Sequence, residues 1–276
     1  MNMKISIIIP NYNGRVLLEK NLPEVIKNSP AAEIIVVDDA SGDDSVFFLK
    51  KNFPGIKIIG KNKNTGFSST VNTGVEKAKG DLIILLNTDV YPKKDYVKPL
   101  LSYFNDPLTF AVGMLQESHE GGKIIKRGRG EGEFKKGFLI HRRGQIDKND
   151  TLWVSGGAGI FRKSIWEKLG GFDEIFDPFY WEDIDLSFRA VKKGYKIWFE
   201  KNSVVVHRQS QGSIRNEYNP SRIKTIAYRN QFYFVRKNLT GADDRIAHYF
   251  WLPYHFINAL KTGDWPFFMG FFPKKQ

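Results

Sequence analysis

Two acidic positions in this chain have the right settings to share one reaction. Asp89 ends the run Leu82-Ile-Ile-Leu-Leu-Asn-Thr-Asp89, and Glu182 and Asp183 open the run Trp181-Glu-Asp-Ile-Asp-Leu-Ser-Phe-Arg189. The first is an apolar strand that delivers a carboxylate to its carboxyl end. The second is the start of a helix. One carboxylate to hold a divalent metal and another to take a proton are what a metal-assisted displacement at a phosphorylated sugar requires.

The elements that must position these groups are readable from periodicity. Ile5–Pro10, Glu33–Asp38, Ile56–Ile59 and Asp81–Leu86 are apolar runs of strand length. Between them, Arg15–Asn28, Asp43–Phe53 and Gly66–Ala78 have helical spacing, the second with Ser41 as its expected cap. Strands that are apolar throughout, alternating with helices, predict a parallel sheet covered on both faces. Ligands bind such sheets at the carboxyl ends of the strands. Asn11, Asp38, Asp39 and Asp89 all fall there. Further on, the pattern predicts a strand at Thr109–Met114, a long loop or irregular hairpin at 116–150 and a short helix at Lys163–Leu169. It then predicts a helix at Trp181–Lys193, two strands at Lys196–Phe199 and Ser203–His207, and a basic helix at Ser221–Lys237. The last expected helix, Arg245–Leu260, is interrupted near Pro253.

Composition narrows the partners. The 276 residues carry a formal charge of +12 and no cysteine, which excludes disulfides and thiolate metal sites. A basic balance favours anionic partners. The opening apolar stretch is too short for a secretory signal and reads as a first strand, so a cytoplasmic location is expected. Lys123–Lys148 carries nine Lys or Arg against three acids. Its bland reading is a solvated loop. Its sharper one is an acceptor-side flap whose Arg127, Arg129, Arg142 and Arg143 meet phosphate.

Several motifs look suited to a nucleotide. Pro10-Asn11-Tyr12-Asn13-Gly14 closes the first strand, where Tyr12 can stack on a base; a capped strand-to-helix turn is the plainer reading. Asp38 can accept from a base imide or a ribose hydroxyl, although acids in such a turn also cap helices. Asn64-Thr65-Gly66-Phe67 opens a helix whose amides could receive phosphate, without the ending of a P-loop. Trp153 with Gly156 and Gly157 suits an acceptor side, or a tight turn. Trp181 belongs with them. Asp185 fits a helix-end acid paired with Arg189.

Seven pieces keep one order along the chain: Ile9-Pro-Asn-Tyr-Asn-Gly14, Val36-Val-Asp-Asp-Ala-Ser41, Asn64-Thr-Gly-Phe67, Leu86-Asn-Thr-Asp89, Gly156-Gly-Ala-Gly159, Gly170-Gly-Phe-Asp173 and Trp181-Glu-Asp-Ile-Asp-Leu186. In this, residues 4–210 resemble the rhamnosyltransferase-like branch of family 2 glycosyltransferases. The resemblance implies a GT-A fold: a Rossmann-like α/β domain with a mostly parallel central sheet flanked by helices. It also implies a nucleotide-sugar donor (UDP-, dTDP- or GDP-linked), a divalent cation (Mn or Mg) and inversion at the anomeric carbon. Carried over by position, Pro10, Asn11, Tyr12 and Asp38 hold base and ribose. Asn64 and Gly66 line the nucleotide, beside Asn87 and Thr88. Asp89 is the last acid of the family's D-x-D element, whose first position here is Asn87. That leaves one carboxylate fewer for the cation. By the same resemblance His207 supplies a further metal contact, and imidazole suits Mn2+ better than Mg2+. The catalytic base falls on Glu182 or Asp183, with Asp183 preferred. The helix dipole would lower its pKa, and burial beside Trp181 and Phe179 would offset that.

The expected division is a catalytic domain at 1–215 and a helical, aromatic-rich extension at 216–276. From Tyr249 onward the chain holds ten of its 39 aromatics, with Lys261, Lys274 and Lys275 beside them. Such a tail fits packing on the domain, a homodimer contact, or an anionic membrane surface at the inner face of the cytoplasmic membrane. The expected acceptor is a glycan, free or on a polyprenyl diphosphate. Two other readings compete. A sugar nucleotidyltransferase would carry a Gly-rich loop with Arg after its first strand, which this chain lacks. A nucleic-acid-binding protein would not gather acids at one rim, so no nucleic-acid partner is expected.

Overall fold

The computed structural model describes residues 3–120, 122–207, 214 and 217–272. The first half alternates as expected: β1 (Ile5–Asn11), α1 (Arg15–Asn28), β2 (Glu33–Asp38), α2 (Ser45–Asn52), β3 (Lys57–Gly60), α3 (Phe67–Lys77), β4 (Leu82–Leu86) and β5 (Val90–Pro92). Next come α4 (Lys98–Leu101), β6 (Thr109–Glu120), β7 (Lys123–Arg127), β8 (Gly130–Lys135), β9 (Phe138–Arg143) and β10 (Ala158–Arg162). Then follow α5 (Lys163–Leu169), α6 (Glu182–Lys192), β11 (Lys196–His207), α7 (Pro220–Asn238), α8 (Ala242–Thr262) and α9 (Trp265–Phe271).

Among the described residues one sheet runs in the order β3-β2-β1-β4-β10-β6-β11-β5, with β7 paired to β6. β1 to β4 are mutually parallel, β6 and β11 are parallel, and β10 is antiparallel to both of its neighbours. Alternate residues of each strand enter opposite layers. Ile7, Ile9 and Val36 meet Leu18 and Leu22 of α1 and Leu49 of α2. Ile8, Ile35 and Val37 meet Val71 and Val75 of α3, Trp166 of α5 and Leu186 of α6.

A third cluster closes the molecule. Phe138 and Leu139 of β9, together with Trp181 and Ile184, pack on Phe232, Phe234 and Val235 of α7, Ala259 of α8 and Phe267 of α9. The C-terminal helices therefore share a core with the segment that carries the acidic pair. The expected boundary at 215 and 216 lies outside the described residues. No described helix is long and apolar enough to cross a membrane.

Of the two readings of 116–150 the hairpin holds over most of the stretch: β6 pairs with β7 and β8 with β9, while 144–149 carries no strand. The strand pattern was hidden because Gln116, Glu117 and Ser118 are polar yet buried in β6, Glu117 against Lys93 at 2.6 Å. Three expectations change. The two strands after Lys196 are one strand, β11, with an irregularity between Glu200 and Val204. α8 runs through Pro253, whose ring lies on the exposed side of the helix. Ser41 does not cap α2. Its hydroxyl instead donates to Asp38 (2.7 Å), and Asp43 accepts from the Ser45 amide (3.1 Å).

Candidate active site

A cavity of about 480 Å³ opens at the carboxyl ends of β1 and β4. It brings together most of the expected site residues: Pro10, Asn11, Tyr12, Asn64, Gly66, Asn87, Thr88, Asp89, Gly156, Gly157, Glu182, Asp183 and His207. Residues 82 to 207 converge here because β10 inserts beside β4 and because β11 pairs with β5, which sets His207 opposite Val90.

In the lining of the cavity Asp89 Oδ2 stands 3.1 Å from His207 Nε2. The other ring nitrogen, Nδ1, lies 2.9 Å from Gln116 Oε1. An amide oxygen can only accept, so Nδ1 donates to it and Nε2 is the nitrogen that faces the carboxylate. As a neutral imidazole, Nε2 offers a lone pair to a cation placed between it and Asp89. Adjacent ligands of an octahedral cation with bonds of about 2.1 Å lie about 3 Å apart, so the pair fits a shared divalent ion. Asn87 Oδ1 is buried there without a hydrogen-bond partner and is a third available oxygen. The described residues hold no cluster of three His, Cys, Asp or Glu, so further ligands must come from such an oxygen, water or substrate. Gly157 is required here, because a Cβ would stand 2.4 Å from the Asn87 side chain.

The paired acids line the same cavity. Glu182 is buried and its Oε2 has no partner. Burial, then the neighbouring Asp183 charge, raises its pKa well above the usual carboxylate range. Asp183 is more exposed, and its oxygens accept from the Gly156 amide (3.3 Å) and the Ile184 amide (2.8 Å). Burial pushes its pKa up to about 6, outweighing those hydrogen bonds. Both carboxyls are thus held above the ordinary carboxylate range, and Glu182, the more deeply buried, is the one better placed to keep a proton.

The turn before α6 is strained. Tyr180 and Trp181 take positive φ angles of 72° and 77°, each at a cost of about 1–3 kcal/mol. Asn230 of α7 holds this turn. Its fully buried Nδ2 lies 2.6 Å from the Phe176 carbonyl and 2.9 Å from those of Phe179 and Tyr180.

Residues 6–170 match the description Glycosyl transferase family 2. The chain belongs to this family. It is 30% identical over 74% of its length to the O-antigen chain rhamnosyltransferase RfbN of Salmonella typhimurium, of which the match spans 66%. It is 26% identical over 78% of its length to a GalNAc(5)-diNAcBac-PP-undecaprenol beta-1,3-glucosyltransferase of Campylobacter jejuni, of which the match spans 70%. The chain thus spans about two thirds of these relatives. The fold is shared with a crystal structure of GalNAc-T7 with UDP, GalNAc and Mn2+, at a TM-score of 0.69 and 20% identity. The likeness covers 85% of this chain and 48% of that one. The fold is thus the expected GT-A type.

Some expected residues of this family 2 domain stand elsewhere. Asp38 lies outside the cavity lining, and its carboxylate accepts from Asn11 Nδ2 (2.7 Å), the Ser41 hydroxyl and the Ser41 amide (2.9 Å). Trp153 and Trp181 turn into the third core cluster, on either side of His141 at ring separations of 5.4 and 5.1 Å. The amides at the start of α3 are not free for phosphate. Asp39 accepts from those of Thr65 and Gly66, the Pro178 carbonyl from Phe67, and Asp177 from Ser68 and Ser69. Gly66 is nonetheless obligatory. Its φ is +99°, and a Cβ would stand 2.6 Å from Asp177. Of the four arginines, Arg127 and Arg129 are buried against Glu120, Glu131 and Asp150, and Arg142 lies 3.5 Å from Glu131. Arg143 alone lines the cavity. Asp185 does pair with Arg189, at 2.7 Å, and also with Lys237 and Asn238 of α7.

Sequence reasoning missed Gln116, Asp177 and Asn230 as positioning groups. Each sits singly in an unremarked stretch and acts on a residue far along the chain. Asp39 was legible as the neighbour of Asp38, since successive strand residues face opposite ways.

Proposed function

We propose that this protein is an inverting, divalent-cation-dependent glycosyltransferase. It moves a sugar from a nucleoside diphosphate to a hydroxyl of a glycan acceptor. The observation that carries this reading is one cavity lined by both the Asp89–His207 pair and the Glu182–Asp183 pair. In this reading the nucleotide lies along Pro10, Asn11, Tyr12 and Asn64, with Thr88 and Asn87 toward the diphosphate. A cation held by Asp89 and His207 would neutralise the departing diphosphate. Asp183 takes the proton of the acceptor hydroxyl. The acceptor oxygen bonds to the anomeric carbon from the face opposite the leaving group, and the bond from that carbon to the diphosphate oxygen breaks. Protonated Glu182 beside it keeps a second negative charge out of the acceptor side.

The relatives' printed names, an O-antigen chain rhamnosyltransferase and a glucosyltransferase of a PP-undecaprenol-linked glycan, support a cell-surface glycan on a polyprenyl diphosphate as acceptor; with such an acceptor the enzyme would work peripherally at the inner face of the cytoplasmic membrane. A panel of UDP-, dTDP- and GDP-sugars with Mn2+ tests the donor half. One of them should raise the thermal midpoint only when the cation is present, and that donor should release nucleoside diphosphate in the presence of acceptor. Release of pyrophosphate instead would overturn the reading.

A further inference from the structure

α8 is apolar on both of its long faces. One face, with His248, Leu252, Phe256 and Ala259, closes the third core cluster. The opposite face carries Ile246, Tyr249, Phe250, Tyr254, Ile257 and Leu260, all exposed, Phe250 by 73%. At 100° per residue these six fall within an arc of about 140°. Trp265 and Met269 of α9 are exposed beyond them. A helix apolar all round is normally buried on all sides, and this one is buried on one.

Charge around the stripe indicates what covers it. Arg245 and Lys261 are exposed at its two ends, and no acid lies between Arg245 and Gly263. Lys136, from the β8–β9 turn, places its ammonium 4.0 Å above the Tyr254 ring. Asp243 and Asp244 precede the stripe, and Asp264 is turned inward to Tyr228 and Lys224. The exposed acids of α8, Asp243 and Asp244, are confined to its first turn, and the length of the stripe itself is bordered by cations. Anionic headgroups would meet all three cations while the acyl boundary received the aromatic and aliphatic side chains.

We propose that the exposed face of α8, continued by α9, docks on an anionic bilayer surface. This deepens the lipid-linked reading above by naming the surface. The β8–β9 hairpin ties that surface to the cavity. Gly137 and Lys136 at its turn accept from His248 and His255 of α8 (2.9 and 2.8 Å), and Arg143 at the far end of β9 lines the cavity. The five steps of β9 from Phe138 to Arg143 span about 17 Å, which sets the scale of the reach a bilayer-anchored acceptor needs.

The test uses the full chain with vesicles of phosphatidylcholine, alone or mixed with phosphatidylglycerol. The protein should co-sediment with the mixed vesicles, and salt should weaken the binding. The triple variant Phe250→Ser, Ile257→Ser, Trp265→Ser should lose about tenfold or more in vesicle affinity. It should keep its thermal midpoint and its turnover of a water-soluble acceptor. Equal binding by that variant, or no binding by the unaltered protein at low salt, would overturn the proposal. So would a dimer in sedimentation that the triple variant dissolves while vesicles bind neither. Loss of turnover on soluble acceptor is a separate readout, bearing on the transfer reading and not on the surface.

Discussion

The two acidic sites that line the cavity are held by different means. Asp89 stands in the turn just before Val90 of β5, and His207 ends β11 opposite Val90, its ring fixed by Gln116 from β6. Glu182 and Asp183 follow two left-handed residues whose turn is held by Asn230, a side chain of the C-terminal helices. A sheet edge presents its ligands through backbone pairing. A strained turn needs a brace, and here the brace arrives late in the chain. The cation site therefore depends on pairing within the sheet, whereas the paired acids depend on α7 being docked.

The largest effect that tests this contrast is at the cation site. Asp89→Ala should lower turnover by about a thousandfold, in the range found for loss of charge stabilisation in a transition state. It should also abolish cation-dependent stabilisation by the donor, read from thermal midpoints. Intact cation dependence would move the metal elsewhere. Next comes the brace. Asn230→Ala leaves carbonyls unpaired and should cost roughly 2–4 kcal/mol of stability by denaturant unfolding. Turnover should fall about 10- to 100-fold with donor affinity little changed; a change confined to donor affinity would dissolve the contrast. Gln116→Leu should act oppositely. Cation affinity, read by Mn2+ titration in the presence of nucleoside diphosphate, should fall about tenfold while the pH profile stays fixed. That profile is the subtlest readout. Burial raises the Asp183 pKa to about 6, so the base form accumulates as pH rises. The rate should climb through pH 6 and level off above it. A limb near the usual carboxylate value would place the base in a more solvated group.

The same contrast explains what the sequence could show. β1, β2, β4, α1 and α3 were legible because apolar runs and helical spacing are local signals, and Asp89 sits at the end of one such run. The 116–150 region was only partly so, because buried Gln116, Glu117 and Ser118 break the apolar pattern of β6 and find their partners only in the fold. Asp177 and Asn230 leave no trace in spacing. Each matters through a backbone group that another element delivers. The tail's aromatics were visible as composition. Their split between a core-facing set and an exposed stripe needed the register of α8.

The most direct measurement compares Asp183→Asn with the unaltered protein in donor binding and in single-turnover transfer. An ionised, buried carboxylate opposes folding above its raised pKa, so at neutral pH the variant should be at least as stable. The account predicts unchanged cation-dependent donor affinity, an unchanged or higher thermal midpoint, and transfer slowed by about a hundredfold to ten-thousandfold. Near-normal transfer by a variant that binds donor normally would contradict it.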